Sequence, residues 1–224
     1  MEKTEGNRQA VIFGLLVLTL LITVFNTVQI GKIGKTGGAN LAAESGGAAA
    51  PVISGSAVQD VIPKGTPDVY GKELGVNYDD ISPYNRQKAD ASIRKLGILD
   101  NTISLSGDDL SRYINVAGRI SCEYCCGAES IIFSNGQAAC GCAHSYAMRG
   151  LAKYLITSHG DEYSDDEILE ELGKWKTLFF PEQMVTKAGI MMQKGIEMNY
   201  VNLASNKYRD IEKGASSGGM VGGC

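Results

Sequence analysis

The chain has 224 residues, with 21 Lys and Arg against 25 Asp and Glu, giving a formal net charge of −4. Residues 1–60 hold four charges of each sign, so the whole excess lies on residues 61–224, and the basic face of a nucleic-acid binder is missing. Hydrophobic residues at 44% and charged residues at 21% are globular values that exclude a wholly disordered chain, while two histidines leave so little acid–base machinery that no catalytic residue is assigned.

Residues 1–9 form a short polar tail, and residues 10–30, AVIFGLLVLTLLITVFNTVQI, carry no charge. As a helix, this stretch spans roughly 31 Å, close to one hydrocarbon core. No small-x-small cleavage site follows it promptly, and no cysteine precedes Cys122 to accept a lipid, so the expectation is an uncleaved signal anchor. Lys3 and Arg8 before it balance Lys32 and Lys35 after it, and the positive-inside count is a tie. The short N-terminus and large C-terminal part favour a single-pass protein of the cell membrane with its domain extracytoplasmic, the membrane being a partner through residues 10–30. Residues 31–60 read as a Gly/Ala/Ser-rich linker, ten of the fifteen residues 36–50 being Gly or Ala, too little apolar surface to fold.

Residues 61–224 carry the helix signals. Ser82-Pro83 resembles an N-cap with a proline at the first helical position, and Gly97 a C-terminal stop, which predicts a helix over 83–96. Residues 101–105 (NTISL) have strand character. Ser106 with Asp109 starts a helix over 107–118, and Ser164 with Glu167 forms a capping box. Beyond it Ile168, Leu172, Trp175 and Phe179 recur at helical spacing. Pro181 stops that helix and starts another with Met184, Ala188 and Met191 on one face. His159 is expected in solvent after a helix end, and the glycine-rich tail, 214–224, is expected to be flexible.

Five of the six cysteines fall within the 21 positions 122–142. Cys122, Cys125 and Cys126 come first; Cys140, Cys142 and His144 follow after Ile131–Ala138, whose Asn135-Gly136 pair between apolar flanks signals a β-hairpin with a type I′ turn. Ala147, Leu151, Tyr154 and Leu155 then continue at helical spacing. A Cys-x-x-Cys turn, a hairpin and a Cys/His helix start resemble a treble-clef metal site. A Cys-x-x-Cys loop aims two thiolates at one ion, and a helix N-terminus stabilises thiolate. Thiolate and imidazole donors suit Zn²⁺ or Cu(I), and enough cysteines are present for an iron–sulfur cluster. The candidate metal ligands are Cys122, Cys125, Cys126, Cys140, Cys142, His144 and Cys224, the last at the end of a glycine tail able to return to the cluster. The alternative is a disulfide framework, which an even number of cysteines in an exported domain permits.

Cys140, Gly141, Cys142 and His144, with the acidic-to-apolar helix pattern around 165–172, resemble the bacterial PCYCGC-motif surface proteins, over about 30 residues. Ala138 and Ala139 depart from the motif's start. The resemblance implies surface location and metal binding. The fold class expected is mainly α with a small β-hairpin: a single N-terminal transmembrane helix, then a helical domain built around the Cys/His cluster. The function expected is metal binding, as a zinc structural site or a soft-metal carrier. Thiol–disulfide or electron-transfer chemistry and a cross-linked structural surface protein are the alternatives.

Overall fold

A computed structural model describes residues 61–213 and 219–222. Its elements in chain order are α1 (Gly71–Leu74), α2 (Arg86–Thr102), α3 (Gly107–Ala117), α4 (Ala143–Ser158), α5 (Asp165–Phe179), α6 (Pro181–Gln193) and α7 (Tyr200–Ala204), with short 3-10 turns at Tyr78–Asp80 and Asn206–Tyr208. Several boundaries follow from the expected side-chain chemistry. Ser164 accepts from the Glu167 amide while the Glu167 carboxylate accepts from the Ser164 amide, so α5 opens on the capping box. Pro181 stands at the first position of α6, where its missing N–H would have had no helical partner anyway.

The start of α2 lies later than the sequence suggests. Ser82 Oγ accepts from the Tyr84 amide (3.2 Å) in a local turn, and Asn85 caps the helix by accepting from the Lys88 amide (3.3 Å). Gly97 does not end the helix, which runs on to Thr102. A Cβ at Gly97 would sit 3.4 Å from the Tyr146 Cβ, so this glycine belongs to a helix crossing. The strand expected at 101–105 is therefore absent, its first two residues being the last turn of α2.

α4 is the hub. It packs most extensively on α2 and also touches α3 and α5, and α5 in turn packs on α7. Ala147, Leu151 and Leu155 of α4, together with Ile168, Leu172, Trp175 and Phe179 of α5, are fully buried. Each such large side chain contributes about 1.5–3 kcal/mol by leaving water. The preceding segment is fastened to α5 by polar groups: Tyr70 and Tyr78 hydroxyls donate to the buried Glu171 carboxylate (2.8 and 2.6 Å), and Trp175 Nε1 donates to the Tyr70 oxygen (2.7 Å).

The β-hairpin in the expected fold class is not formed. Among the described residues there is no strand, only isolated bridges pairing Ile132 with Ala138 and Ile120 with Ser205. The Asn135-Gly136 turn exists, closed by Phe133 N–H donating to Gln137 O (2.7 Å), but only Gly136 takes a positive φ (81°). A type I′ turn needs positive φ at both central residues. The Ala139 amide still donates to Ile131 O (3.1 Å), but past this bridge the backbone turns to other partners. The Ile131 amide donates to Ile120 O (3.0 Å), and the Arg149 guanidinium binds the Cys140 carbonyl (2.8 Å) as well as Ile131 O (3.3 Å).

The expected single-pass membrane location also needs correction. No helix among the described residues is long and apolar enough to cross a membrane. The longest, α2 at 17 residues, carries Arg94, Lys95 and Asp100 in its second half. Residues 10–30, on which the transmembrane anchor, the membrane partner and the extracytoplasmic placement rested, lie outside the described residues, as does the linker up to residue 60.

Candidate metal centre

Two parts of the chain meet at the N-terminus of α4. Cys142 is its N-cap residue, and its sulfur takes the capping role by accepting from the Ser145 amide at 3.3 Å. Two residues on, still in the first turn, His144 points into the core with no exposed surface. From the other side comes the turn at Cys122, where the Tyr124 and Cys125 amides both donate to the Cys122 carbonyl. Glu123, at φ 37°, bends the chain there. The result is a 3.2 Å approach of the Cys122 and Cys142 sulfurs, with Ser145 Oγ 3.4 Å from the latter.

Cys122, Cys142 and His144 are all buried, and their donor atoms lie within 4.8 Å of one another. Donors on one tetrahedral ion at about 2.0–2.3 Å are roughly 3.3–3.8 Å apart. Small side-chain adjustments therefore suffice, and the arrangement can hold a metal ion. The Cys122–Cys142 contact drives the two thiols apart in acidity: hydrogen bonding to Cys122, His144 and Ser145 pulls Cys142 well below the ordinary thiol value, whereas Cys122, the proton donor to its neighbour and desolvated, is pushed up. The pair therefore favours one shared negative charge on Cys142 at the positive end of a helix.

The imidazole is fixed from behind. Its Nε2 lies 2.8 Å from the Val221 carbonyl. A carbonyl only accepts, so Nε2 carries a proton, and Nδ1 is the nitrogen through which His144 would bind a metal. The Phe179 and Phe180 rings flank it at centroid distances of 4.7 and 5.1 Å. Residues 219–222 of the tail are thus brought back to the site, with Val221 buried and its amide bonded to the Phe179 carbonyl (2.8 Å).

The other candidate ligands are distributed around this trio. Cys126 and Cys140 form a disulfide. Their sulfurs and that of Cys142 make up a second group within 4.8 Å. Cys125 is half-buried, outside any disulfide and in neither group, although its charge is felt by Cys122. Cys224 lies outside the described residues. The knuckle of the expected treble clef thus contributes Cys122 to the inner trio, and the helix start contributes Cys142 and His144. His159, expected in solvent, is only 8% exposed and is held between Glu162 (2.7 Å) and Glu73 (3.1 Å).

Sequence reasoning missed the charged groups that hold the site's two walls. Glu123 receives Lys176 Nζ (2.7 Å), Lys187 Nζ (3.2 Å) and the Asp210 amide (2.8 Å), with both ammonium side chains and the carboxylate essentially buried. Glu212, accepting from the Tyr124 hydroxyl, is the second acid of this network. Burial outweighs Glu123 in lowering the Lys176 ammonium, to a pKa of about 8. On the opposite wall Arg149, 1% exposed, pairs with Asp100 (2.7 Å) while clamping the Cys140 carbonyl. The signals were visible in the sequence: Arg149 lies between Met148 and Gly150 on an apolar helix face, and Lys176 and Lys187 stand at helical spacing from Leu172, Phe179, Met184 and Met191.

No protein-family model matches this chain, and neither curated proteins nor solved structures show a match to it.

Proposed function

We propose that the protein binds a soft metal ion between Cys122, Cys142 and His144. The observation that carries this reading is the burial of two thiols and an imidazole with their donor atoms within 4.8 Å. A buried Cys/His trio is a poor arrangement for any purpose that needs solvent or a large substrate. Zn²⁺ takes four donors, whereas Cu(I) is satisfied with three soft ones. The site's position between the Cys122 turn and α4 supports a structural zinc. The described tail returns as far as Gly222, where a Cβ would be 3.6 Å from His144 Nε2, and Cys224→Ser tests whether the next thiol along the sequence is the fourth donor. The likeness of Cys140–His144 to PCYCGC-motif proteins points the same way.

The test is metal analysis of the full chain purified anaerobically, beside Cys122→Ser, His144→Ala and Cys224→Ser. Stoichiometric zinc is expected in the wild type. The first two variants should lose most of it, and Cys224→Ser should retain it with weaker affinity. Copper retained in full by Cys224→Ser would identify the three-donor carrier form. Metal content unaffected by Cys122→Ser and His144→Ala overturns the site.

One observation favours thiol–disulfide exchange as a second reading. The acidified Cys142 sulfur lies within 4.8 Å of both sulfurs of the Cys126–Cys140 bond, which is the geometry of an attacking thiolate beside its target. Turnover of a dithiol and a disulfide substrate by metal-free protein, abolished in Cys142→Ser, would establish it. A metal-free protein with no such turnover excludes it.

A further inference from the structure

Cys142 belongs to two groups of donors at once. It completes the inner trio with Cys122 and His144, and an outer trio with Cys126 and Cys140. Five donors exceed what one tetrahedral ion accepts. In the outer trio two of the three sulfurs are joined as a disulfide, and a disulfide sulfur offers no thiolate to a cation. The two groups also differ in access. Cys126 is exposed, Cys140 is 6% exposed, and Cys122 and His144 have no exposed surface.

We infer that the Cys126–Cys140 disulfide gates a second metal site: its reduction opens a position for a second soft divalent cation on Cys126, Cys140 and Cys142, with the Cys142 thiolate shared by both ions. This rests on the assignment of the first ion to Cys122, Cys142 and His144.

The step balances with a dithiol as reductant. One reductant thiolate attacks the exposed Cys126 sulfur, the Cys126–Cys140 bond breaks, and Cys140 leaves as thiolate. The second reductant thiolate attacks the mixed disulfide, closes the reductant's own cyclic disulfide and releases Cys126 as thiolate. Two electrons pass from the dithiol to the protein, and its two protons go to the new thiolates or to solvent. The cation then replaces those protons. Arg149 keeps the opened site in shape, because its hold on the Cys140 and Ile131 carbonyls (2.8 and 3.3 Å) does not involve the sulfurs. The protein thereby carries one ion under oxidising conditions and two under reducing ones.

The experiment loads the full chain with Cd²⁺, anaerobically, once with the disulfide intact and once after reduction by a dithiol that is then removed. Native mass spectrometry counts the ions, and cadmium NMR reads their connection. One Cd²⁺ per chain is expected in the disulfide form. Two are expected after reduction, with two resonances mutually split through the shared sulfur, and reduced Cys126→Ser should return to one. A single Cd²⁺ in both forms of the wild type overturns the second site and leaves the first standing. Two in the disulfide form overturns the gate, and two unsplit resonances overturn the shared thiolate. No Cd²⁺ in either form removes the first site along with the second.

Discussion

Removing the Glu123 carboxylate leaves the Lys176 and Lys187 ammonium groups without their closest counter-charge in a region closed to water. Breaking a buried pair from one side typically costs about 3–5 kcal/mol, because the stranded charge keeps its desolvation penalty. Glu123→Ala is expected to destabilise the protein by about that amount. Substitution also frees the turn that presents Cys122, since the same carboxylate accepts from the Asp210 amide. Denaturant unfolding of metal-free and metal-loaded protein measures both effects. The variant should lose stability without metal and gain less than the wild type on loading, and equal stability to wild type in both states would contradict this role. Nothing in the sequence around Glu123 marks it, because an acid beside a cysteine reads as a surface residue. Its importance arises from two lysines 53 and 64 positions away, a relation local pattern does not contain. The thiols and His144 were visible because their chemistry is rare and their spacing short.

At the level of elements, α4 reaches the core only because its backbone approaches α2 closely. A Cβ at Gly150 would lie 1.9 Å from the Leu96 carbonyl oxygen and 2.9 Å from the Asp100 amide nitrogen. Both are helix backbone atoms and cannot rotate away. Overpacking costs about 1–3 kcal/mol where side chains give; here two helices must separate, so Gly150→Ala is expected to cost about 3 kcal/mol or more. Thermal unfolding should show a large drop, whereas Gly97→Ala, facing only ordinary contact at Tyr146, should be mild by comparison. Equal effects of the two substitutions would contradict the crossing. The helices themselves were legible: α5 and α6 begin where the capping box and proline place them, and α3 starts after Ser106 as expected, although Ser106 makes no side-chain capping bond. The hairpin was not, because Asn-Gly chemistry specifies a reversal but not the strands beyond it. Beyond the bridge, the Ile131 amide goes to Ile120 and the Cys140 carbonyl to Arg149, backbone and side-chain partners that the turn pattern does not contain. Gly97 misled for a similar reason, since a glycine at a helix crossing and one at a helix end look alike in the sequence.

Across the described molecule, the Cys/His site lies where several segments meet, one of them the helix-free stretch that also contributes Ile120, Ile131 and Ile132 to the core. Residues 119–142, which contain no helix, are held to α4 through Cys142 and Arg149, to α5 and α6 through Glu123, and to α7's end through the Ile120–Ser205 bridge. The returning tail closes the far side by bonding His144 and Phe179. A metal at their junction would contribute to folding directly, because the donors meet only in the folded chain, and structural zinc supplies on the order of 10 kcal/mol in small peptide sites. X-ray absorption at the zinc edge of the anaerobically purified full chain tests this most directly. The account predicts a mixed shell with sulfur at about 2.3 Å and nitrogen at about 2.0–2.1 Å, the nitrogen contribution falling in His144→Ala and the sulfur contribution in Cys122→Ser. A shell of oxygen and nitrogen only, or one that neither substitution changes, would contradict it.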